Sequence, residues 1–273
     1  MWNRGGTRQK TCSMKRVVQP ELLDELPPHD RRAVRSRRDL LRINAWMGNA
    51  PTMARVLQAA LPGSALRQIV ELGAGDGEFT LRVAGHLGAR NSASPHHSEL
   101  PASARQDAVP AVPPGGGTPD TGCRSALLLD RLPLIRPETE RRFEQLNWKI
   151  RVVTADVFHF YENGAITADA VIANLFLHHF TDEQLRRLFR FMQAKARVYI
   201  ALEPRRSRLT LFASCWLWLI GCNSVTRHDA RLSVQAGFNR RELSALWPAS
   251  SGWELTERPA GFFSHLFVAR RAD

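Results

Sequence analysis

Gln68-Ile69-Val70-Glu71-Leu72-Gly73-Ala74-Gly75-Asp76-Gly77 is the stretch on which the fold turns. A short apolar run ends in three glycines at alternate positions, after which Phe79, Leu81, Val83, Ala84 and Leu87 continue with helical spacing. That pattern predicts a strand, a tight glycine turn and a helix. Glycine serves such a turn because it reaches positive φ without steric cost and lets another group approach the backbone closely.

The same alternation runs outward in both directions. Ala126-Leu127-Leu128-Leu129-Asp130 is a fully apolar strand of the kind buried on both faces. Further strands are expected at Ile150–Thr154, Asp169–Asn174 and Arg197–Leu202, with closing strands near 253–257 and 264–270. Helices are expected from Pro137 to Asn147 and from Asp182 to about Ala196, where Thr181 and Gln184 fit a capping box. Upstream, Asp30 is a suitable N-cap for a helix to about Trp46, with Val34, Leu40, Leu41 and Ile43 on its apolar side; Pro51 opens a second helix to about Leu61. Strands alternating with helices predict an α/β chain: a doubly wound, mostly parallel, seven-stranded Rossmann-like sheet with an antiparallel edge strand and N-terminal cap helices.

Composition bounds the rest. The chain has 273 residues, 44% apolar and 23% charged, which suits an ordinary globular protein. Cys12, Cys123, Cys215 and Cys222 are too scattered for a disulfide framework or a zinc site, so a reducing cytoplasm is the expected compartment. The longest apolar run, Leu209 to Ile220, falls short of the roughly 20 residues that span a bilayer. Residues 1–29 read as a disordered basic arm, 30–64 as the cap helices and 65–273 as the main domain. Within it, residues 88–125 are rich in Ser, Ala, Pro and Gly and read as a flexible insertion.

The glycine spacing discriminates among nucleotide sites. A dinucleotide fingerprint would place its third glycine where Glu78 stands, and no G-K-[ST] follows for a phosphate loop. The segment Glu71 to Gly77 resembles the E/D-x-G-x-G-x-G signature of class I S-adenosylmethionine-dependent methyltransferases. Asn174-Leu175-Phe176-Leu177-His178-His179-Phe180 is similar to the N-x-x-x-H-H-F segment of ubiquinone and menaquinone biosynthesis methyltransferases and of many natural-product methyltransferases. The likeness covers about Ile69 to Pro204 without the insertion. It implies S-adenosylmethionine as cofactor, with Glu71 near the methionine amine and Gly73, Ala74, Gly75 and Gly77 shaping its site. Asp130, followed by Arg131, would hold the ribose hydroxyls, Asp156 and Val157 would meet the adenine, and Asn174 would close the set.

Each residue also has a plainer use: Asp130 as the cap of a turn, Asp156 as an N-cap. Asn174 is followed by Leu175-Phe176 rather than by the P-P-Y of families that methylate adenine or glutamine amides, which favours an oxygen or carbon acceptor. For a phenol or enol, His178 or His179 is the candidate proton acceptor, with His178 nearer the strand end; the alternative is that the pair is structural. No metal site is expected. Arg205 and Arg206 either meet an acidic substrate or form a surface pair. The apolar segment from Ser207 to Gly221 is read as a helix roofing an apolar acceptor pocket, or alternatively touching a membrane.

The partner implied is a small apolar acceptor. The net charge of +12, of which residues 1–42 supply +6, keeps an RNA or protein acceptor as an alternative; an inactive methyltransferase-like scaffold, a third reading, would require loss of cofactor motifs that are intact here. Because loop-closure entropy grows only logarithmically with length, replacing 88–125 by a short Gly/Ser linker is expected to change stability by about 1 kcal/mol or less, measured by urea unfolding.

Overall fold

The structure, a computed structural model, describes residues 14–62, 66–91, 124–163, 166–249 and 251–272. In chain order the helices are α1 (Leu22–Glu25), α2 (Arg31–Met47), α3 (Asn49–Ala60), α4 (Glu78–Asn91), α5 (Pro137–Gln145), α6 (Val157–Asn163), α7 (Asp182–Lys195), α8 (Arg208–Ser214), α9 (Ser224–Ala236) and α10 (Glu242–Leu246). The strands are β1 (Gln68–Leu72), β2 (Arg124–Asp130), β3 (Trp148–Thr154), β4 (Ala168–Asn174), β5 (Ala196–Pro204), β6 (Trp253–Ala260) and β7 (Ser264–Arg271). They form one seven-stranded sheet in the order β3-β2-β1-β4-β5-β7-β6. Strands β1, β2 and β3 pair in parallel, and β6 pairs antiparallel with β7 at the edge, as the short connection between them predicts. No described helix is long and apolar enough to cross a membrane.

The chain divides into two compact units, and the boundary runs through β4 and β5. One holds Ala50–Ile172 and Lys195–Tyr199; the other holds the described residues up to Asn49, Ala173–Ala194 and the chain from Ile200 onward.

In the first of these units, β1 and β2 are buried nearly throughout, as their unbroken apolar sequences require. Their register sets Leu72 opposite Leu129, and Asp130 opposite Thr154 of β3. The three strands thus end level, which brings Gly73, Asp130 and Asp156 out along one carboxyl edge. At the other end, Asp169 accepts from the amides of Arg67 and Gln68 at 2.8 and 2.9 Å. Helix α4 runs on to Asn91 and β2 begins at Arg124, so the expected insertion is narrower than 88–125; its interior lies outside the described residues.

The other unit departs from expectation in three places. Residues 14–29, expected as part of a disordered arm, are ordered: Arg16 donates to the carbonyls of Ala236 and Phe180 and pairs with Asp182, while the amides of Leu22 and Leu23 donate to Asp229. None of the apolar side chains of this segment is fully buried, so its order rests largely on these specific bonds. Helix α9, which the sequence pattern did not reveal, supplies Asp229.

Secondly, α2 buries Ala33, Ser36 and Asp39 most deeply; of the expected apolar side, Leu40 and Ile43 are half-buried on that same face, whereas Val34 is exposed and Leu41 lines the outer groove. Asp39 accepts from the Asn223 amide (2.8 Å) and the Thr226 hydroxyl (3.1 Å), and Ser36 shares a hydrogen bond with Thr226 (2.9 Å). Hydrogen bonding to α9 sets the rotation of α2. Thirdly, the expected single helix Ser207–Gly221 is broken into α8 and a 3₁₀ turn, Leu217–Ile220, that ends at Gly221 with φ 74°. The capping box does form: the Thr181 amide donates to the Gln184 side chain at 2.8 Å and the Gln184 amide to the Thr181 hydroxyl at 3.3 Å.

The rotation of α2 generates a test. Asp39→Ala strands two buried donors and is expected to lower the urea-unfolding free energy by about 2–3 kcal/mol. Val34→Ala is expected to change it by less than about 0.5 kcal/mol, as for an outward-facing side chain. The reverse ranking would put the apolar stripe inward.

Candidate functional site

The glycine turn is built from both sides. Gly73, Gly75 and Gly77 have φ of 69, 56 and 76°, all in the left-handed region that side chains other than glycine rarely adopt. The amides of Gly73 and Ala74 donate to the Leu129 carbonyl at 2.9 and 3.0 Å, which fastens the start of the turn to the end of β2. The Asp130 carboxylate then accepts from the Gly75 amide at 2.8 Å on one oxygen and from the Leu132 amide at 2.9 Å on the other. Asp130 is thus both the expected acidic residue at the end of β2 and the cap of the turn after it.

The glycines do different work. A Cβ on Gly77 would come within 2.9 Å of the Ile135 Cδ1 and 3.1 Å of the Leu128 Cδ1, side-chain ends that must shift to admit it, in addition to the strain of a φ of 76°. A Cβ on Gly75 would meet no atom within 4 Å. At Gly75 it is the backbone angle and the open space beside it that matter, as expected of a position where a ligand approaches.

Glu71 lies at the end of β1, 2% exposed, and accepts a 2.6 Å hydrogen bond from the Thr80 hydroxyl of α4. Burial pushes its carboxyl up to about 8 against the opposing effect of the Thr80 bond, and the nearby charges of Asp76 and Asp130 add to the rise. Asp156 is exposed and caps α6, its Oδ1 accepting from Phe158 (2.9 Å) and His159 (3.3 Å), while Val157 is the buried first residue of that helix. The N-cap reading of Asp156 is therefore realised; an exposed capping carboxylate still has lone pairs to offer. Arg131 is exposed. All these groups belong to one unit, along the carboxyl edge of β1–β3.

Asn174, His178 and His179 belong to the other unit. The Asn174 side chain accepts from Asn49 at 2.8 Å and donates to Asn44 at 3.3 Å; Asn49 in turn accepts from Ser264 at 2.7 Å. His178, 3% exposed, lies between two carboxylates, its Nδ1 2.9 Å from Glu203 and its Nε2 3.4 Å from Glu21. Burial opposes the charge, but the bonds and charges of Glu203 and Glu21 outweigh it and raise the imidazole to about 9. The same pairing takes Glu21 down to about 2 in spite of its burial. A histidine held as imidazolium has no lone pair with which to accept a proton, which weighs against His178 as the base.

His179 differs from its neighbour. Its ring stacks at a tilt on His178, 4.2 Å between centroids, with 28% of the side chain exposed and Asp24 3.5 Å from Nδ1. Burial, and then the positive charge of His178, lower its pKa. It is therefore neutral where His178 is charged. Glu21, His178 and His179 also form the one group among the described residues whose ligand atoms lie close enough, within 4.8 Å, for a metal ion. Both nitrogens of His178 are already engaged by carboxylates, so the cluster is satisfied as an ion-paired set.

Arg206 is buried and bonded to the carbonyls of Met14 and Gly237 and to Glu242, which makes it a structural cation, neither a substrate ligand nor a surface residue. Sequence reading missed Glu21, Glu203, Asn49 and Thr80. A signal existed for Glu203, since a carboxylate following the apolar run Tyr199-Ile200-Ala201-Leu202 must find partners if the strand is buried.

No protein-family model matches the chain, and no curated protein matches its sequence. Solved structures do match in fold. The plantazolicin methyltransferase BpumL, in complex with SAH, aligns over 89% of this chain and 91% of its own, with a TM-score of 0.57 and 10% identity. An O-methyltransferase family protein from Burkholderia thailandensis aligns over 90% of this chain with a TM-score of 0.50 and 15% identity, and this chain spans 61% of its length. RosA of Streptomyces davawensis, an N,N-8-amino-8-demethyl-D-riboflavin dimethyltransferase, aligns over 93% of this chain and 62% of its own, with a TM-score of 0.51 and 13% identity.

The shifted Glu71 carboxyl and His178 imidazole give stability a signed pH dependence. Folded Glu71 keeps its proton to about 8, whereas the unfolded carboxyl loses it near 4.5, so folding takes up a proton in between and stability falls as pH rises from 4.5 to 8. Glu71→Gln, which keeps an acceptor for Thr80, is expected to flatten that fall in urea-unfolding free energies measured at pH 5, 6.5 and 8. The contribution of His178 is fully present below 6.5 and lost as pH rises through about 9, so it survives in the variant. An unchanged slope between pH 5 and 6.5 in Glu71→Gln would contradict a protonated Glu71.

Proposed function

We propose that this chain, which has the fold of class I S-adenosylmethionine-dependent methyltransferases, transfers a methyl group from S-adenosylmethionine to a small apolar acceptor, aromatic, quinone-like or polyketide-like, at oxygen or carbon. The observation that carries this reading is the glycine turn: three left-handed glycines at the carboxyl end of β1, cross-bonded to Asp130 at the level end of β2, with open space at Gly75. Ligands of open α/β sheets bind outside the carboxyl ends of the strands, where strand order reverses, and β1 lies between β2 and β4 at that reversal.

The residues present fit the group. Each oxygen of Asp130 accepts one amide and keeps a lone pair, which suits a pair of neighbouring hydroxyls. Glu71, a buried acid beside the turn, becomes a carboxylate readily if a cation approaches, since its pKa of about 8 is close to neutrality. When bound, the cofactor supplies a methyl group on a sulfonium, open to in-line displacement. The chain then has mainly to orient the reactants and deal with one proton. For a phenolic or enolic acceptor, His179 is the member of the histidine pair in a state to take that proton, with His178 fixed beside it as a cation.

The absence of a P-P-Y sequence after Asn174 favours oxygen or carbon as acceptor atom. RosA, by its name, acts at an amino nitrogen on the same fold, so the fold alone does not set the atom. An RNA acceptor, suggested by the charge of +12, is distinguished by a steep loss of binding between low and physiological salt.

Calorimetric titration should show binding of S-adenosylmethionine and S-adenosylhomocysteine and none of NADH. Gly75→Val, with a branched side chain at φ 56°, should abolish that binding while circular dichroism stays unchanged. Binding undiminished in the variant would remove the turn from the site. With methyl-labelled cofactor and a panel of phenols and hydroxyquinones, His179→Ala is expected to lower kcat by about 10²–10⁴-fold with cofactor affinity unchanged. Full turnover in His179→Ala would leave the transfer to positioning alone.

A further inference from the structure

The segment expected to roof a pocket is not covered. Leu209, Phe212, Trp216, Trp218, Leu219 and Ile220 are each between 47 and 62% exposed. Phe212 and Trp216 make an edge-on ring contact, and Thr210 donates to the Phe262 carbonyl at 3.4 Å, which brings the 70%-exposed Phe262 alongside. A contiguous apolar surface of this kind marks an interaction site.

Helix α2 borders it. With its polar face turned in to α9, the helix presents Arg31, Val34, Arg35, Arg38, Leu41 and Arg42 along an open groove of about 930 Å³ that ends at Gly221. These positions recur at three- and four-residue intervals and form one stripe about 16 Å long. The Arg35 guanidinium donates to the Gly221 carbonyl at 3.3 Å, joining the stripe to the apolar turn. The acids of α2 cancel part of its charge, since Asp39 accepts from the Arg42 guanidinium as well as from α9 and Asp30 is bound to Arg32, so the charge of the stripe rests on Arg31, Arg35 and Arg38.

We propose that the outward face of α2 and the apolar segment 209–220 together form a docking surface for a bilayer containing anionic lipids. Tryptophan, leucine and isoleucine side chains enter the boundary between headgroups and acyl chains, while arginines beside them meet lipid phosphates and keep their stems on the apolar side. Since no described helix is long enough to span, the contact lies on the surface of the membrane. A second copy of the chain would bring one row of arginines against another. The chain's own first 13 residues carry three basic side chains and no acidic one, so they match the stripe no better. Nucleic acid would satisfy the arginines but leave six large apolar side chains without a partner.

The test uses the full chain with vesicles of phosphatidylcholine alone or with phosphatidylglycerol at roughly one part in three. Co-sedimentation with the anionic vesicles at low salt is expected, with little on the neutral ones and partial release at high salt. Brominated lipids should quench part of the tryptophan emission. The triple substitution Trp218→Ser, Leu219→Ser, Ile220→Ser should weaken partitioning at least about tenfold, and Arg35→Gln with Arg38→Gln should weaken it on anionic vesicles only. Cofactor binding, measured in parallel, should be unchanged in both variants and shows that they are folded. The proposal fails if the wild type ignores anionic vesicles, or if the triple variant binds them as well as the wild type. It fails equally if the surface proves to mediate concentration-dependent self-association lost in the triple variant, or if RNA displaces the vesicles without loss of affinity in that variant.

Discussion

A carboxylate with no exposed surface must be satisfied entirely from within, and Glu203 shows how much organisation that demands. One of its oxygens accepts the amides of Phe176 and Leu177, while the other accepts the amide of His178 and faces its ring. The loop after β4 is thus wound around the end of β5, with Leu175 bent into the left-handed region at φ 53° to begin the winding. Strain of this order persists only where surrounding bonds over-determine the conformation. The negative charge is met by the His178 ring, the charge of that ring calls in a second carboxylate from Glu21, and Ser233 of α9 fixes Glu21. One buried acid therefore propagates through a chain of partners to α9 and to the N-terminal segment.

Much of the architecture could be read in the sequence because it is local. The unbroken apolar runs of β1 and β2, the glycines between β1 and α4, and the Thr181–Gln184 box each declare themselves within a few residues, and each is where the pattern placed it. The glycine turn was legible for the same reason: positive φ at alternate positions leaves a compositional mark that burial or packing does not. Asp130 and Asp156 were legible as positions and as possible caps; what sequence could not show is that each caps while keeping lone pairs to offer.

What escaped was decided between distant residues. Helix α9 has a weak apolar pattern because three of its buried residues, Thr226, Asp229 and Ala236, are polar or small; its one local signal was Asn223, whose side chain accepts from the Thr226 amide. The rotation of α2 is governed by Asp39 and Ser36 reaching that unrecognised helix, so its apolar residues mark the inward face only in part: Leu40 and Ile43 lie on it, Val34 and Leu41 do not. Similarly, the composition of 209–220 suggested burial when its side chains stand in the open. Apolar content measures what a segment would gain from leaving water; only the rest of the chain decides whether it leaves water in the isolated protein. His178 and His179, adjacent and chemically identical on paper, acquire opposite protonation states only once Glu203 and Glu21 arrive from elsewhere.

The ordered strap of residues 14–29 has a bearing on what the histidine pair depends on. A boundary drawn from composition falls near residue 30, at the first strong helix signal. Arg16, braced by Ala236, Phe180 and Asp182 and set over the Phe238 ring, and Glu21, set against His178, both lie before it. A protein shortened to that boundary would keep every helix and strand after α1 yet contain an imidazolium with half of its counter-charge removed. The acid–base character of the histidine pair is in this sense set by residues well outside its own loop, Glu21 ahead of the first long helix and Glu203 at the end of β5.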